Sequence, residues 1–163
     1  MSLPRGVLEK YITPDCIFIE CGSRWGDTLL RARELGAFHA VGCEADNLYA
    51  HLGEAHVKEK FSLCSVLHMK STFFLQATWD NDRKDKIVFL DAHTESSSPV
   101  MEELELLDKW EQKPKVILID DLRCMQGWGV LVDRLQGKLL DMGYRVGYED
   151  GVEPRDIMVG VMP

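Results

Sequence analysis

Cys16-Ile17-Phe18-Ile19-Glu20-Cys21-Gly22-Ser23-Arg24-Trp25-Gly26-Asp27-Thr28 decides how this 163-residue chain is read. The first residues are a continuous apolar run that ends in an acid, the pattern of a strand buried on both faces. Gly22 and Gly26 then permit a tight turn with close backbone approach to a ligand. A helix is expected from about Asp27, closed by Gly36. Strand, glycine turn and helix in that order make the opening of a parallel α/β sheet.

The rest of the chain continues the alternation. His39-Ala40-Val41-Gly42-Cys43 reads as a second strand ending at Glu44, and Asp46 or Asn47 can cap a short helix carrying Leu48 and Leu52. Phe61–Val66 reads as a strand, with Thr72–Leu75 as another or as its continuation; the stretch from Phe61 to Trp79 gives the weakest pattern. Ile87-Val88-Phe89-Leu90 ends at Asp91, and Val116-Ile117-Leu118-Ile119 ends at Asp120-Asp121. Between them Ser98 can cap a helix with Pro99 at its first position and Val100, Leu104 and Leu107 on one face. Trp128, Val132, Leu135, Leu139 and Met142 recur at helical spacing up to Gly143. Tyr144–Tyr148 and Asp156–Val161 close the chain as two strands joined by a turn around Gly151 and Pro154. Crossover helices imply parallel neighbours, whereas a bare turn implies an antiparallel hairpin. The expected fold is therefore α/β: a doubly wound, mostly parallel seven-stranded sheet with a C-terminal antiparallel hairpin, residues 1–163 forming one domain.

Composition narrows the function. The formal net charge is −8, from 27 acidic and 19 basic residues, and the basic residues are scattered. A nucleic-acid groove needs clustered Lys and Arg, so nucleic acid is not an expected partner. No apolar run approaches the length that spans a bilayer, and no signal-peptide core is visible, so the chain is expected to be soluble and cytoplasmic. The five cysteines match no zinc spacing; Cys16, Cys21, Cys43 and Cys64 lie in or beside strands and read as reduced, buried thiols.

The chemistry is expected beyond the carboxyl ends of the strands, where ligands bind in open α/β sheets. Four of these strands end in acids: Glu20, Glu44, Asp91 and the pair Asp120-Asp121. Carboxylates crowded on one edge repel one another unless something positive lies among them, which implies a cationic ligand, a metal ion, or both. The turn is not the dinucleotide fingerprint, because Arg24 stands where the second glycine must let the backbone near a pyrophosphate. Glu20 would also repel a diphosphate, yet it suits a ligand bearing ammonium and sulfonium groups. Glu44 lies close to the usual distance for an acid that holds both ribose hydroxyls. S-adenosylmethionine combines these features; NAD does not.

The segments "IECGSRWGDTLL" and "VGCEADN" resemble the first two motifs of class I S-adenosylmethionine-dependent methyltransferases, particularly the FkbM-like group. "IVFLDAHTESSSPVMEELELL" followed by "VILIDDLR" resembles the later motifs of small O-methyltransferases, including the metal-dependent sugar and catechol enzymes. The likeness runs from about Asp15 to the closing hairpin and is weakest between His56 and Asp85. It implies a Rossmann-like fold with S-adenosylmethionine as cofactor. Glu20, Gly22 and Gly26 would line its methionine part, with contacts from Ser23 and Arg24. Glu44 would hold the ribose and Ala45 would border the adenine. Asp91 would hold the methionine amino end or a metal, and Asp120 and Asp121 would complete a magnesium site with Asp91. Many catechol-branch relatives carry an acid–amide pair instead of two acids there.

The function implied is O-methylation of a small polyol, sugar or similar metabolite, assisted by magnesium, with His93 as base beside Asp91. The plainer reading of His93 is a loop histidine that orients Asp91. Asp120-Asp121 can equally cap the next helix, Trp25 and Trp128 can be pocket walls or core, and Arg123 can meet an acidic substrate group or solvent. His39, His51, His56 and His68 follow no ligand spacing, and Ser96-Ser97-Ser98 reads as a loop and cap. Two other functions compete: a metal-independent methyltransferase acting on nitrogen or another acceptor, and a non-catalytic binding module of the same fold. The chain lacks the helical lid many relatives use, and a neighbouring subunit could supply one, so a homodimer is an expectation.

Overall fold

A computed structural model describes residues 3–77 and 83–163. Seven strands form one sheet: β1 (Ile17–Cys21), β2 (His39–Glu44), β3 (Cys64–His68), β4 (Lys86–Leu90), β5 (Val116–Ile119), β6 (Arg145–Glu149) and β7 (Ile157–Val161). Their spatial order is β3-β2-β1-β4-β5-β7-β6. β1 through β5 pair in parallel, and β7 runs antiparallel to both β5 and β6. The seven-stranded doubly wound sheet with its closing hairpin is thus observed. The chain winds outward from β1 in one direction and from β4 in the other, so the switch point lies between these two strands.

Side-chain alternation along the strands splits the core in two. Phe18, Ala40, Ile87, Phe89 and Leu118 face α1 (Arg5–Tyr11), α2 (Asp27–Glu34) and α3 (Asn47–Lys60). Ile17, Ile19, Val41, Val88 and Ile117 face the other layer, built from α4 (Ser71–Gln76), α5 (Val100–Asp108), α6 (Leu122–Met125) and α7 (Val132–Asp141). Glu20 and Asp91 continue the parity of Phe18 and Phe89. Both carboxylates therefore emerge on the α2 side at the top of neighbouring strands.

Several local expectations change. Thr72–Leu75 is not a strand but the body of α4: Phe74 and Leu75 are buried beneath it, and the buried Trp110 indole donates to Leu75 O at 3.0 Å. Thr78 and Trp79, at the end of that weakly patterned stretch, lie outside the described residues. The helix capped by Asp46 is long rather than short, because Ala50, Gly53 and Val57 form its buried stripe while Leu48 and Leu52 face outward. The third strand begins at Cys64, three residues later than read. Trp128 is not on α7; a 3-10 turn at Gln126–Trp128 and a left-handed Gly129 (φ 75) separate it from that helix. α5 starts at Val100 with Pro99 rather than Ser98 at its N-cap; the Ser98 hydroxyl, one residue further out, accepts from the Val100 N–H at 3.3 Å. α1, which the pattern did not give, buries Val7 and Leu8.

Candidate active site

The carboxyl ends of the strands open into a cleft of about 1180 Å³. Glycine builds its floor. A Cβ on Gly22 (φ +87) would lie 2.6 Å from Asp91 O, so only glycine lets β1 and β4 close at the switch point. Gly26 (φ +76) starts α2 with no room for a side chain, since a Cβ would lie 2.5 Å from Val57 Cγ1. The turn is pinned to β2 by the Gly22 and Ser23 N–H groups, which both donate to Cys43 O at 2.9 Å.

Glu20, Gly22, Ser23, Arg24, Glu44, Ala45, Asp91, His93 and Asp121 all line the cleft. Gly26 stands behind it as a turn residue, and Asp120 does not line it. Asp120 is buried and its Oδ1 accepts from the Asp121 N–H at 2.8 Å. The chain turns sharply between the two: Asp121 adopts φ 57, ψ 38, a left-handed conformation that aspartate tolerates better than most residues. One acid of the pair faces the cleft and the other stays within the protein.

Glu44 cross-links two turns, accepting from Arg24 N–H at 3.0 Å and Asp46 N–H at 2.8 Å. Each carboxylate oxygen retains acceptor capacity toward a ligand hydroxyl. Trp25 and Tyr49 meet edge-to-face at 5.1 Å on the same side, and Trp25 is exposed as part of the cleft wall rather than core. The other four histidines lie outside the cleft lining; His51, His56 and His68 pair with Asn47 O, Asp27 and Ala45 O. All five cysteines are free thiols, four of them buried.

The rim is electrostatically divided. Toward β1 and β4, Glu20 Oε2 and Asp91 Oδ1 are buried without a hydrogen-bond partner. Burial raises the Glu20 carboxyl to about 8, against the pull of the Thr28 and Ser23 hydroxyls. Burial, helped by the neighbouring Asp120, Asp121 and Glu20 charges, also raises Asp91 to about 8. Toward β5 the acid is compensated. His93 Nε2 lies 3.4 Å from Asp121 Oδ2 and 3.8 Å from Asp91 Oδ1, while Arg123 Nη2 lies 2.6 Å from Asp121 Oδ1. His93 and Arg123 together hold the Asp121 carboxyl down at about 2. Asp121 in turn raises the His93 imidazole above its ordinary value, against partial burial. The Trp128 indole stacks on that imidazole with centroids 4.6 Å apart and planes 20° from parallel.

Against solved structures the chain aligns over nearly its whole length. A precorrin-6y C5,15-methyltransferase from Geobacter metallireducens GS-15 superposes with TM-score 0.66 at 13% identity, over 98% of this chain and 87% of that one. A candidate caffeoyl-CoA O-methyltransferase from Staphylococcus aureus gives 0.69 at 10% identity, over 99% and 86%. M. capricolum TrmK, in complex with S-adenosyl-homocysteine, gives 0.66 at 15% identity, over 99% and 67%. The fold is that of the class I S-adenosylmethionine-dependent methyltransferases. No family model and no curated protein sequence matches the chain. These methyltransferase neighbours differ in what they are named for, so the shared fold leaves the acceptor open.

Two functional features escaped the sequence reading. Asp156, read only as a strand start, is buried and grips Arg123. Residues 69–72, of which only Thr72 was read and then as the start of a strand, form a loop and helix start lining the cleft. Asp156 did leave a signal: it is an acid opening an otherwise apolar strand.

Proposed function

We propose that this chain is an S-adenosylmethionine-dependent methyltransferase acting on a hydroxyl oxygen of a small polyol, sugar or similar metabolite. The observation that carries the reading is the pair of buried carboxyl oxygens without a hydrogen-bond partner, Glu20 Oε2 and Asp91 Oδ1, at the switch point of this fold. Burying a carboxylate unpaired is costly, and a ligand bearing ammonium and sulfonium groups relieves that cost where NAD would add negative charge. The residues present thus fit the cofactor, which when bound supplies a methyl group on a positively charged sulfur. Glu20 and Asp91 face its cationic part, Glu44 accepts from its ribose hydroxyls, and Ala45 borders its base.

On the acceptor side His93 takes the hydroxyl proton. Asp121 stabilises the resulting imidazolium, and Trp128 keeps the ring in plane. The walls hold the acceptor in line with the donor, which is the larger part of the task in a methyl transfer. The carboxylates expected to hold magnesium do not fit that ion. Asp120 is turned into the protein, and the two oxygens of Asp121 face the Arg123 guanidinium and the His93 imidazole. No step is assigned to a metal. A small-molecule acceptor, with neither nucleic acid nor membrane as partner, and a homodimer whose second subunit roofs the cleft belong to the same reading. No helix among the described residues is long and apolar enough to cross a membrane.

The test is calorimetric titration of the full chain with S-adenosylmethionine, S-adenosyl-homocysteine and NAD. The reading expects saturable binding of the first two and none of NAD. Binding of NAD alone, or of none of the three, would overturn it.

A further inference from the structure

Two groups of potential ligands converge near β5: Asp91, His93 and Asp121, and separately Asp120, Asp121 and Asp156, each with atoms within 4.8 Å of one another. Both groups depend on Asp121, and Asp121 is already engaged. Arg123 Nη2 lies 2.6 Å from its Oδ1, and His93 Nε2 lies 3.4 Å from its Oδ2. The guanidinium is itself clamped. Its Nη1 pairs with Asp156 Oδ2, and the Arg123 backbone N–H donates to Asp156 Oδ1 at 3.0 Å. Asp156 also holds the helix start, since its carbonyl accepts from the Leu122 N–H at 3.0 Å. The Asp156 side chain is only 1% exposed.

A magnesium ion needs about six oxygens at roughly 2.0–2.1 Å. Seating one on Asp121 would expel the guanidinium and leave Asp156 buried without a counter-charge, a costly arrangement. The imidazole in the other group is likewise a poor ligand for a hard cation.

We infer that Arg123 stands in for a divalent cation: clamped by Asp156, its guanidinium supplies the fixed positive charge at Asp121, and the acceptor side works without a bound metal. The role of this charge beside an acceptor rests on the proposed methyl transfer. Its replacement of a metal does not, because it concerns only groups within the chain.

The test uses the full chain, stripped with EDTA and titrated calorimetrically with MgCl2 and with MnCl2, without donor or acceptor. Wild type is expected to show no saturable binding of either ion at millimolar concentration. The double variant Arg123→Met/Asp156→Asn removes guanidinium and counter-charge together, and should bind Mn2+ saturably, with a Kd at least about tenfold below the highest concentration at which wild type shows no binding. Arg123→Lys keeps a cation in place and should behave as wild type. If the double variant does not fold, Arg123→Gln is titrated with the same expectation. Saturable ion binding by wild type, or no gain in the folded variant, would overturn the inference. Because no donor is present, failure of the methyl-donor reading would show in the separate S-adenosylmethionine titration and leave this result standing.

Discussion

Asp91 and Asp121 end neighbouring parallel strands on the same edge of the same sheet, and they meet opposite fates. Asp91 is buried among other acids, one oxygen lacks a partner, and its carboxyl is raised to about 8. Asp121 lies between His93 and Arg123 and is held down at about 2. The difference comes from what the following residues place beside each acid, because the strand ends themselves are alike. One half of the rim has its positive charge built in, and the other half does not. On the proposed reading the uncompensated half would receive the methyl donor and the compensated half the acceptor.

The sharpest way to break this contrast is to neutralise one acid on each side. Asp91→Asn should weaken S-adenosylmethionine binding by about 3 kcal/mol, roughly a hundredfold. Asp121→Asn should change donor affinity little while lowering turnover; equal losses in donor affinity, read by calorimetry, would erase the distinction. His93→Ala should lower methyl transfer by about a hundredfold or more once an acceptor is in hand. Its pH profile sharpens the point. His93 acts as a base only when neutral, and Asp121 raises its pKa, so the rate should climb with pH through that raised value. Asp121→Asn should move the climb to lower pH.

A third region supplies a control without function. Glu103 lies on the apolar face of α5 with Val100, Leu104 and Leu107, fully buried, and burial raises its carboxyl to about 7. The folded protein keeps this proton up to about 7, whereas the unfolded chain releases it near 4.5. The contribution of Glu103 to stability therefore falls as pH rises between those values, by about 3 kcal/mol, and levels off above. Glu103→Gln should remove that share of the loss in urea melts between pH 5 and pH 8, while the share due to Glu20 and Asp91 persists. The smallest effect expected is at Glu44, where Glu44→Ala should cost about tenfold in donor affinity, since two ribose hydrogen bonds are lost and no charge is stranded.

Much of this was legible in the chain. Apolar runs ending in acids gave β1, β2, β4 and β5 and the cleft edge, because buried parallel strands write a continuous hydrophobic signal. Glu20 and Glu44 were placed as the acids that end the runs of β1 and β2, and Asp91 and His93 as the first and third residues past Leu90. α4 was not legible, since Thr72-Phe73-Phe74-Leu75 is too short to carry a helical period and its residues favour strands. Nor was the split fate of Asp120 and Asp121, which depends on a left-handed turn at Asp121. The grip of Asp156 on Arg123 joins residues 33 apart in sequence, and no local pattern encodes it. Glu103 was visible in principle as an acid on an apolar helical stripe.

The account turns on whether the unpartnered acids of the donor half receive a cation. Binding of S-adenosylmethionine near pH 7, measured calorimetrically in buffers of different ionisation enthalpy, tests this directly. Because Glu20 and Asp91 both hold their protons up to about 8, binding a positive ligand there should release between one and two protons, and Glu20→Gln should reduce the release. Binding with no proton released, or with a proton taken up, would contradict it.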